Sequence, residues 1–387
     1  MAIVIFTQAA NDGQHDAMLR QAMEIFTGYI QIHQAGYQDD PAIEKSFKFT
    51  PEIEKILKNN KKIKGYTPRL QVGALAASEN NSTGALVVGI EPDLEKSVTK
   101  IYKHMASGEY LSKNDKMQCV IGEKMAKILK LKVGDNMVLL TQGIDGSTGA
   151  IKFKVKGLFR AGADELNRSL VFITLKDMRD LVLAPDMVDS IAIMTESPRD
   201  VPAVYKFLQS RFAGMTTNGK KFEILDWKQL IPEMVDFVAI DNIGAYIFLT
   251  LLMIVVIFGV LSAVFSSVLE RFPEFGIMMA LGTRPNQIIL LVMLEGFLLT
   301  GIGIVVGLAV GIGISLYFIY HPIILPATYE SIMQYYGMEN KIYFCLYPLN
   351  VAIAAISVII LSLAFTFYPA WKASSLKPDK AIRSINV

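Results

Sequence analysis

Apolar residues are spread unevenly along the 387 residues of this chain. Up to residue 240 they are interleaved with Lys, Asp and Glu at helix and strand spacing. Beyond it they merge into uncharged stretches at 243–269, 296–320 and 342–371. About 20 apolar residues suffice for an α-helix to cross a bilayer. Lipid offers the backbone no other partner, so each stretch predicts a membrane-spanning helix. The spans are set at 243–269, 288–320 and 342–371, with a short charged segment, 270–287, between the first two.

The earlier residues predict a water-exposed part. Met18, Leu19, Met23, Ile25 and Phe26 recur at loosely helical spacing and make 12–27 a stalk helix. The run from Gly28 to His33 alternates as a half-buried strand does. A short helix follows at 51–59 with Thr50 as its N-cap. Strands are expected at 69–77, 83–90, 119–122, 137–141, 150–159, 170–174, 191–195 and 222–225, and helices at 92–105, 123–129, 175–183 and 198–211. This mixture predicts a large α+β domain, 28–226, of two lobes, one inserted in the other. Leu230, Ile231, Met234, Phe237, Val238 and Ile240 make 227–242 an amphipathic second stalk feeding the span at 243.

Charge orients the spans. Arg271 and Arg284 lie in 270–287, and Lys372, Lys377, Lys380 and Arg383 lie in the tail 372–387. The loop 321–341 carries only Lys341, beside Glu330 and Glu339. Basic loops face the cytoplasm, so 270–287 and the tail are placed inside, 321–341 outside, and the large domain outside with it. An exported domain needs a preceding helix, and the six residues Met1 to Phe6 are too short for one and lack a basic leader region. The expectation is that 1–11 is the remnant of a first membrane helix.

Composition adds mainly exclusions. Hydrophobic residues make up 52%, concentrated after residue 243, and the net charge of +2 gives no reason to expect nucleic acid. Cys119 and Cys345 are far apart and read as small buried residues rather than a disulfide framework. The four histidines share no metal-ligand spacing. No phosphate-cradling G-x-x-x-x-G-K-[ST] run occurs, nor a catalytic triad or paired-carboxylate constellation. No cofactor is therefore expected, and any ATP hydrolysis must come from a separate subunit.

The segment from Glu270 to Gly282 carries the densest signal. Interfacial charges flank most spans, so Glu270, Arg271 and Glu274 have an ordinary reading as well. Pro273 suits the first turn of a new helix, Glu274 favours its N-terminus, and Gly282 can end it. Phe275, Ile277, Met278 and Leu281 would form an apolar face in need of lipid or a partner's groove. Glu295, two turns into its span, reads mainly as a residue close enough to the interface to reach water. Gly303, Gly307 and Gly311 repeat every four residues, a spacing that lets helices approach closely.

The run Glu270-Arg271-x-x-Glu274-Phe275-Gly276-Ile277-x-x-Ala280-Leu281-Gly282-Thr283 resembles the signature of FtsX/MacB-type ABC transporter permeases. Similar stretches include the run from Phe26 to His33, Val88-Gly89-Ile90-Glu91-Pro92, Val120-Ile121-Gly122-Glu123, Trp227-x4-Pro232 and the C-terminal run from Tyr368 to Arg383. The outer-domain motifs look most like the lipoprotein-releasing (Lol-type) branch. The resemblance implies four spans, the first truncated here, around a MacB-like periplasmic core domain, in a multi-pass protein of the bacterial inner membrane. It further implies a dimer of permeases, homo- or heteromeric, on two cytoplasmic ABC ATPases. The helix at 270–282 would couple ATPase motion to the periplasm and release a lipoprotein or other amphiphile, with a periplasmic acceptor protein beyond. The alternatives are an FtsX-like regulator of a cell-wall hydrolase and a MacB-like exporter of peptides or drugs. Phe272, Pro273 and Met279 stand where the family often has basic or polar residues, which implies a greasier docking surface.

Overall fold

The computed structural model describes residues 1–162, 164–329 and 340–374. Expectations for Glu330, Glu339, Lys377, Lys380 and Arg383 lie outside the described residues. In chain order the helices are α1 (Ala2–Ala22), α2 (Pro51–Lys58), α3 (Pro92–Val98), α4 (Glu123–Leu129), α5 (Asp164–Ser169), α6 (Leu175–Leu181), α7 (Val201–Phe212), α8 (Trp227–Leu230), α9 (Pro232–Glu270), α10 (Phe272–Ala280), α11 (Pro285–Tyr320) and α12 (Pro348–Ser374). The strands are β1 (Ile30–Gln34), β2 (Phe47–Lys48), β3 (Ile63–Ala77), β4 (Ser82–Ile90), β5 (Met105–Gly108), β6 (Gln118–Gly122), β7 (Asn136–Gln142), β8 (Thr148–Phe159), β9 (Leu170–Thr174), β10 (Met187–Val188), β11 (Ser190–Thr195), β12 (Thr216–Thr217), β13 (Lys220–Asp226), β14 (Ile323–Ile324) and β15 (Lys341–Ile342).

The chain divides into two compact units. One comprises Met1–Asp16, Asp236–Ile324 and the described residues from Lys341 on; the other comprises Ala17–Val235 with the described residues of Leu325–Asn340. Among the described residues, three helices are long and apolar enough to cross a membrane: α9, α11 and α12. The last begins at Pro348, later than the apolar stretch suggested, because Lys341 and Ile342 pair with β14 and proline supplies the first turn. Cys345 therefore precedes the helix and is only partly buried, whereas Cys119 is fully buried.

The α/β unit is built on one eleven-stranded sheet, in the order β12-β13-β1-β11-β3-β4-β9-β6-β8-β5, with β7 paired to both β3 and β8. Those last pairings close β3, β4, β9, β6, β8 and β7 into a ring. The 15-residue β3 serves both parts. Its first half pairs with β11, and Leu75 to Ala77 pair with β7. Strand pairing thus joins what the sequence divides into two lobes. Met137, Leu139, Phe153 and Val155 are buried within a main apolar core, and Phe159 and Phe172 anchor a second one.

Local rules explain several elements and correct others. Thr50 Oγ1 accepts from Ile53 N–H at 3.4 Å and caps α2, with Pro51 in its first turn. The helix expected at 92–105 stops at Val98: Thr99 is extended, its hydroxyl turns back to Glu95, and β5 begins at Met105. β1 is buried along its whole length rather than on alternate residues, because β11 and β13 flank it and its polar side chains have partners inside. The second stalk is not one helix. Ile231 leaves the helical region at φ −131 and ψ 58, between α8 and α9.

Candidate functional site

Arg271 is the single residue between α9 and α10. Pro273 sits in the first turn of α10, where its missing N–H costs nothing, and Glu274 lies near the positive end of the helix. At the other end Gly282 adopts φ +99. Its N–H bonds to Met279 O at 3.1 Å and that of Thr283 to Met278 O at 3.0 Å, the paired bonds of a Schellman stop. A side chain at Gly282 would be strained by this backbone.

The apolar residues of α10 do not share one face. Phe275 is 1% exposed and packs among Val264 and Val268 of α9, Ile288 and Val292 of α11, and Ala370 and Ala373 of α12. Gly276 is buried beside it, and Met278 is half-buried. Ile277 and Leu281 point away, 49% and 83% exposed. Residues 275 and 277 lie on opposite sides of a helix and 277 and 281 on the same side, so the helix has a docked side and a free apolar side.

Arg271 knits the docked side together. Its Nε donates to Glu274 Oε2 at 2.9 Å and its Nη1 to Glu295 Oε2 at 3.1 Å. The guanidinium carbon lies 5.5 Å from the ring centre of Phe275. Ser267 Oγ donates to the other oxygen of Glu295 at 3.0 Å. Glu270 meets Ser266 Oγ at 3.5 Å at the end of α9, and Ala280 closes α10. Glu295 is therefore partnered within the protein, by residues 24 and 28 positions away in the sequence.

The glycine repeat divides in the same way. A Cβ at Gly307 would come to 2.5 Å from Met1 Cβ, and one at Gly311 to 3.1 Å from Ile5 Cβ, so these two seat α1 against α11. A Cβ at Gly303 would meet nothing within 4 Å, which removes Gly303 from that contact. A Cβ at Gly296, not singled out by its spacing, would come to 2.6 Å from Thr366 Cγ2 of α12. Above these contacts α1 is strapped by polar pairs: His15 to Asp241 at 2.8 Å, Asn11 to Asn242 at 3.1 Å, Asp12 to Asn350 at 2.7 Å and Tyr347 to Asp16 at 2.5 Å.

Within the α/β unit, α1 ends in a joint. Met23–Thr27 widen into a π-helical turn, and the carbonyls of Ala22, Met23, Glu24, Phe26 and Thr27 all find donors. Thr27 Oγ1 donates to Ala22 O at 2.9 Å, Gly28 N to Met23 O at 2.8 Å, and Lys100 N to Glu24 O at 2.6 Å. Arg69 Nη1 donates to Phe26 O and Gln31 Nε2 to Thr27 O, both at 2.7 Å. Arg69 is fully buried and forks onto Glu95 at 3.1 and 2.6 Å. The signal in the sequence was an arginine inside a strand, but nothing there names its partner.

A second buried network adjoins this joint. Asp189 receives Tyr37 OH at 2.9 Å, Ser190 Oγ at 2.7 Å and Gln71 N–H at 2.5 Å. Its complete burial nevertheless raises the carboxyl to about 6. His33 lies 2.9 Å from Gln31 Oε1 and 3.2 Å from Asp189 O, and burial lowers its imidazole to about 4. Among the described residues, no group of His, Cys, Asp and Glu is placed to hold a metal ion.

Comparison with known proteins agrees with this architecture. The family model of the MacB-like periplasmic core domain matches residues 1–210, and that of the FtsX-like permease C-terminal region matches 246–378. The chain belongs to the FtsX/MacB family of ABC transporter permeases. It is 25% identical over 341 residues to the lipoprotein-releasing system transmembrane protein LolC of Neisseria meningitidis serogroup B, covering 84% of this chain and 79% of that protein. It is 22% identical to LolE of Haemophilus influenzae, a lipoprotein-releasing system transmembrane protein, over 99% of this chain and 91% of that one. The macrolide export ATP-binding/permease protein MacB of Nitrobacter winogradskyi is 23% identical over 99% of this chain and 56% of its own length.

Proposed function

We propose that this chain is the permease subunit of an ABC transporter that transmits the motion of a separate cytoplasmic ATPase to its large domain and so releases lipoproteins from the inner membrane. The observation that carries the reading is α10, anchored through Phe275 on α9, α11 and α12 while Ile277 and Leu281 stand free. A short helix built this way has one side for its own spans and one for a partner. The lipoprotein-releasing relatives named above support the cargo. In this reading α10 faces the cytoplasm, the α/β domain faces the periplasm, α1 completes the membrane part as a fourth helix, and two permeases assemble on two ATPases. A periplasmic acceptor would take the cargo.

The chain purified in detergent from its native membrane should bring with it an ATPase carrying a G-x-x-x-x-G-K-[ST] loop. Ile277→Glu and Leu281→Asp should abolish that association without loss of membrane insertion. In proteoliposomes the complex should release a lipid-anchored protein on addition of ATP. Export of a macrolide without such release would instead favour the MacB-like reading. Activation of a cell-wall hydrolase without any transport would favour the regulatory one.

A further inference from the structure

Glu295 is the only acidic or basic side chain of α11, in a helix otherwise uncharged and mainly apolar from Ile288 to Tyr320. A carboxylate in such a helix is costly unless partnered. Here both oxygens have separate donors, Arg271 at 3.1 Å and Ser267 at 3.0 Å. The geometry has a mechanical side. α10 joins α11 covalently through Leu281 to Arg284, a turn that passes through Gly282 at φ +99. Glu295 lies ten residues beyond Pro285, about 15 Å along the axis of α11 at 1.5 Å per residue. The start of α10 is thus fastened to α11 at a point remote from the covalent link at its end. A helix fixed at one end can pivot about that end. One fixed at both must carry its neighbour with it.

We infer that Glu295 is a positioning residue that makes α10 and α11 move together, with Arg271 as the strut between them. Displacement of α10 then enters α11 as well as α9, and does so through a planar guanidinium held in register by Glu274 and by the Phe275 ring. A lysine cannot replace this fork, because a single ammonium lacks the fixed geometry that reaches Glu274 and Glu295 at once. The inference rests on the permease reading, since it assigns a path to the motion that reading requires.

The test places a spin label on a cysteine substituted for Gly303, where a side chain meets nothing within 4 Å, in the full chain with its co-purified ATPase. In the parent protein, ATP should change the label's environment. Glu295→Gln should leave ATPase binding intact, suppress the label's response, and lower cargo released per ATP about tenfold, within the usual range of a coupling free energy. Arg271→Gln should do the same, and the double variant should lose no more than either single one, because both cut one strut. Losses that simply add, or a full response in Glu295→Gln, would overturn the inference and leave the permease reading standing. A parent label indifferent to ATP would remove both.

Discussion

Asp189 and His33 share one buried network but titrate in opposite senses, so replacing either should expose the other. The folded chain keeps the Asp189 proton up to about pH 6, whereas an unfolded carboxyl loses it near 3.8. The stability contributed by that proton is complete below pH 3.8 and is lost as pH rises through about 6. At about 1.4 kcal/mol per unit the swing is about 3 kcal/mol. His33 runs the other way. Its neutral ring contributes fully above pH 6.5, and that contribution is lost as pH falls through about 4, again a swing of about 3 kcal/mol. The two windows overlap, so the contributions nearly cancel in the parent protein.

The chain has two tryptophans, Trp227 at the start of α8 and Trp371 in α12. With Trp371→Phe as background, Trp227 fluorescence reports urea unfolding of the α/β unit in the detergent-solubilised chain. The stability of the parent minus that of Asp189→Asn should fall by about 3 kcal/mol between pH 4 and pH 7, and parent minus His33→Gln should rise by about the same amount. Two flat differences, or two slopes of one sign, would refute the reasoning.

Three further outcomes follow from packing. Gly276→Leu should crowd the docked side of α10, leaving the chain inserted but weakening ATPase association, as seen by co-purification. Gly311→Leu should lower the melting temperature of the chain by forcing α1 from α11, at a cost of about 1–3 kcal/mol, while Gly303→Leu should not. Arg69→Ala should cost about 3–5 kcal/mol in urea unfolding because Glu95 is left buried and unpaired, and Arg69→Met with Glu95→Leu should cost less than the single change.

What the sequence disclosed follows from how local each cause is. Thr50 with Pro51, and Pro273 with Gly282, mark helix ends by chemistry that acts within one turn, and those ends are where the residues place them. The long apolar runs are legible for the same reason. In β1 the alternation of Ile with Gln and His describes polarity, not burial. His33 is inside because Asp189, 156 residues away, presents a carbonyl to it. Gly303, Gly307 and Gly311 are identical as a pattern, and only the path of α1 across α11 decides that two of them make the contact. The face assigned to Phe275, Ile277, Met278 and Leu281 was apolar throughout, but apolarity does not say which side meets the chain's own helices. Glu295 reads from the sequence as a residue near the interface, while its partners Arg271 and Ser267 require the fold.

The two stalk segments of the α/β unit are built differently. α1 ends in a turn where five carbonyls are held by groups of that unit, among them a fully buried arginine forked onto Glu95. Such a turn cannot change shape without breaking several buried hydrogen bonds at once, and Arg69 and Glu95 tie it to β3 and α3. α9, by contrast, begins after Ile231, a residue outside the helical region and followed by a proline that disfavours helix at the preceding position. Ile231 N still donates to Trp227 O at 3.1 Å, and Val235 N to Ile231 O at 3.2 Å. The turn at Met23–Thr27 is thus fixed by a side chain distant in sequence, and the break at Ile231 by the local conformation of one residue before a proline.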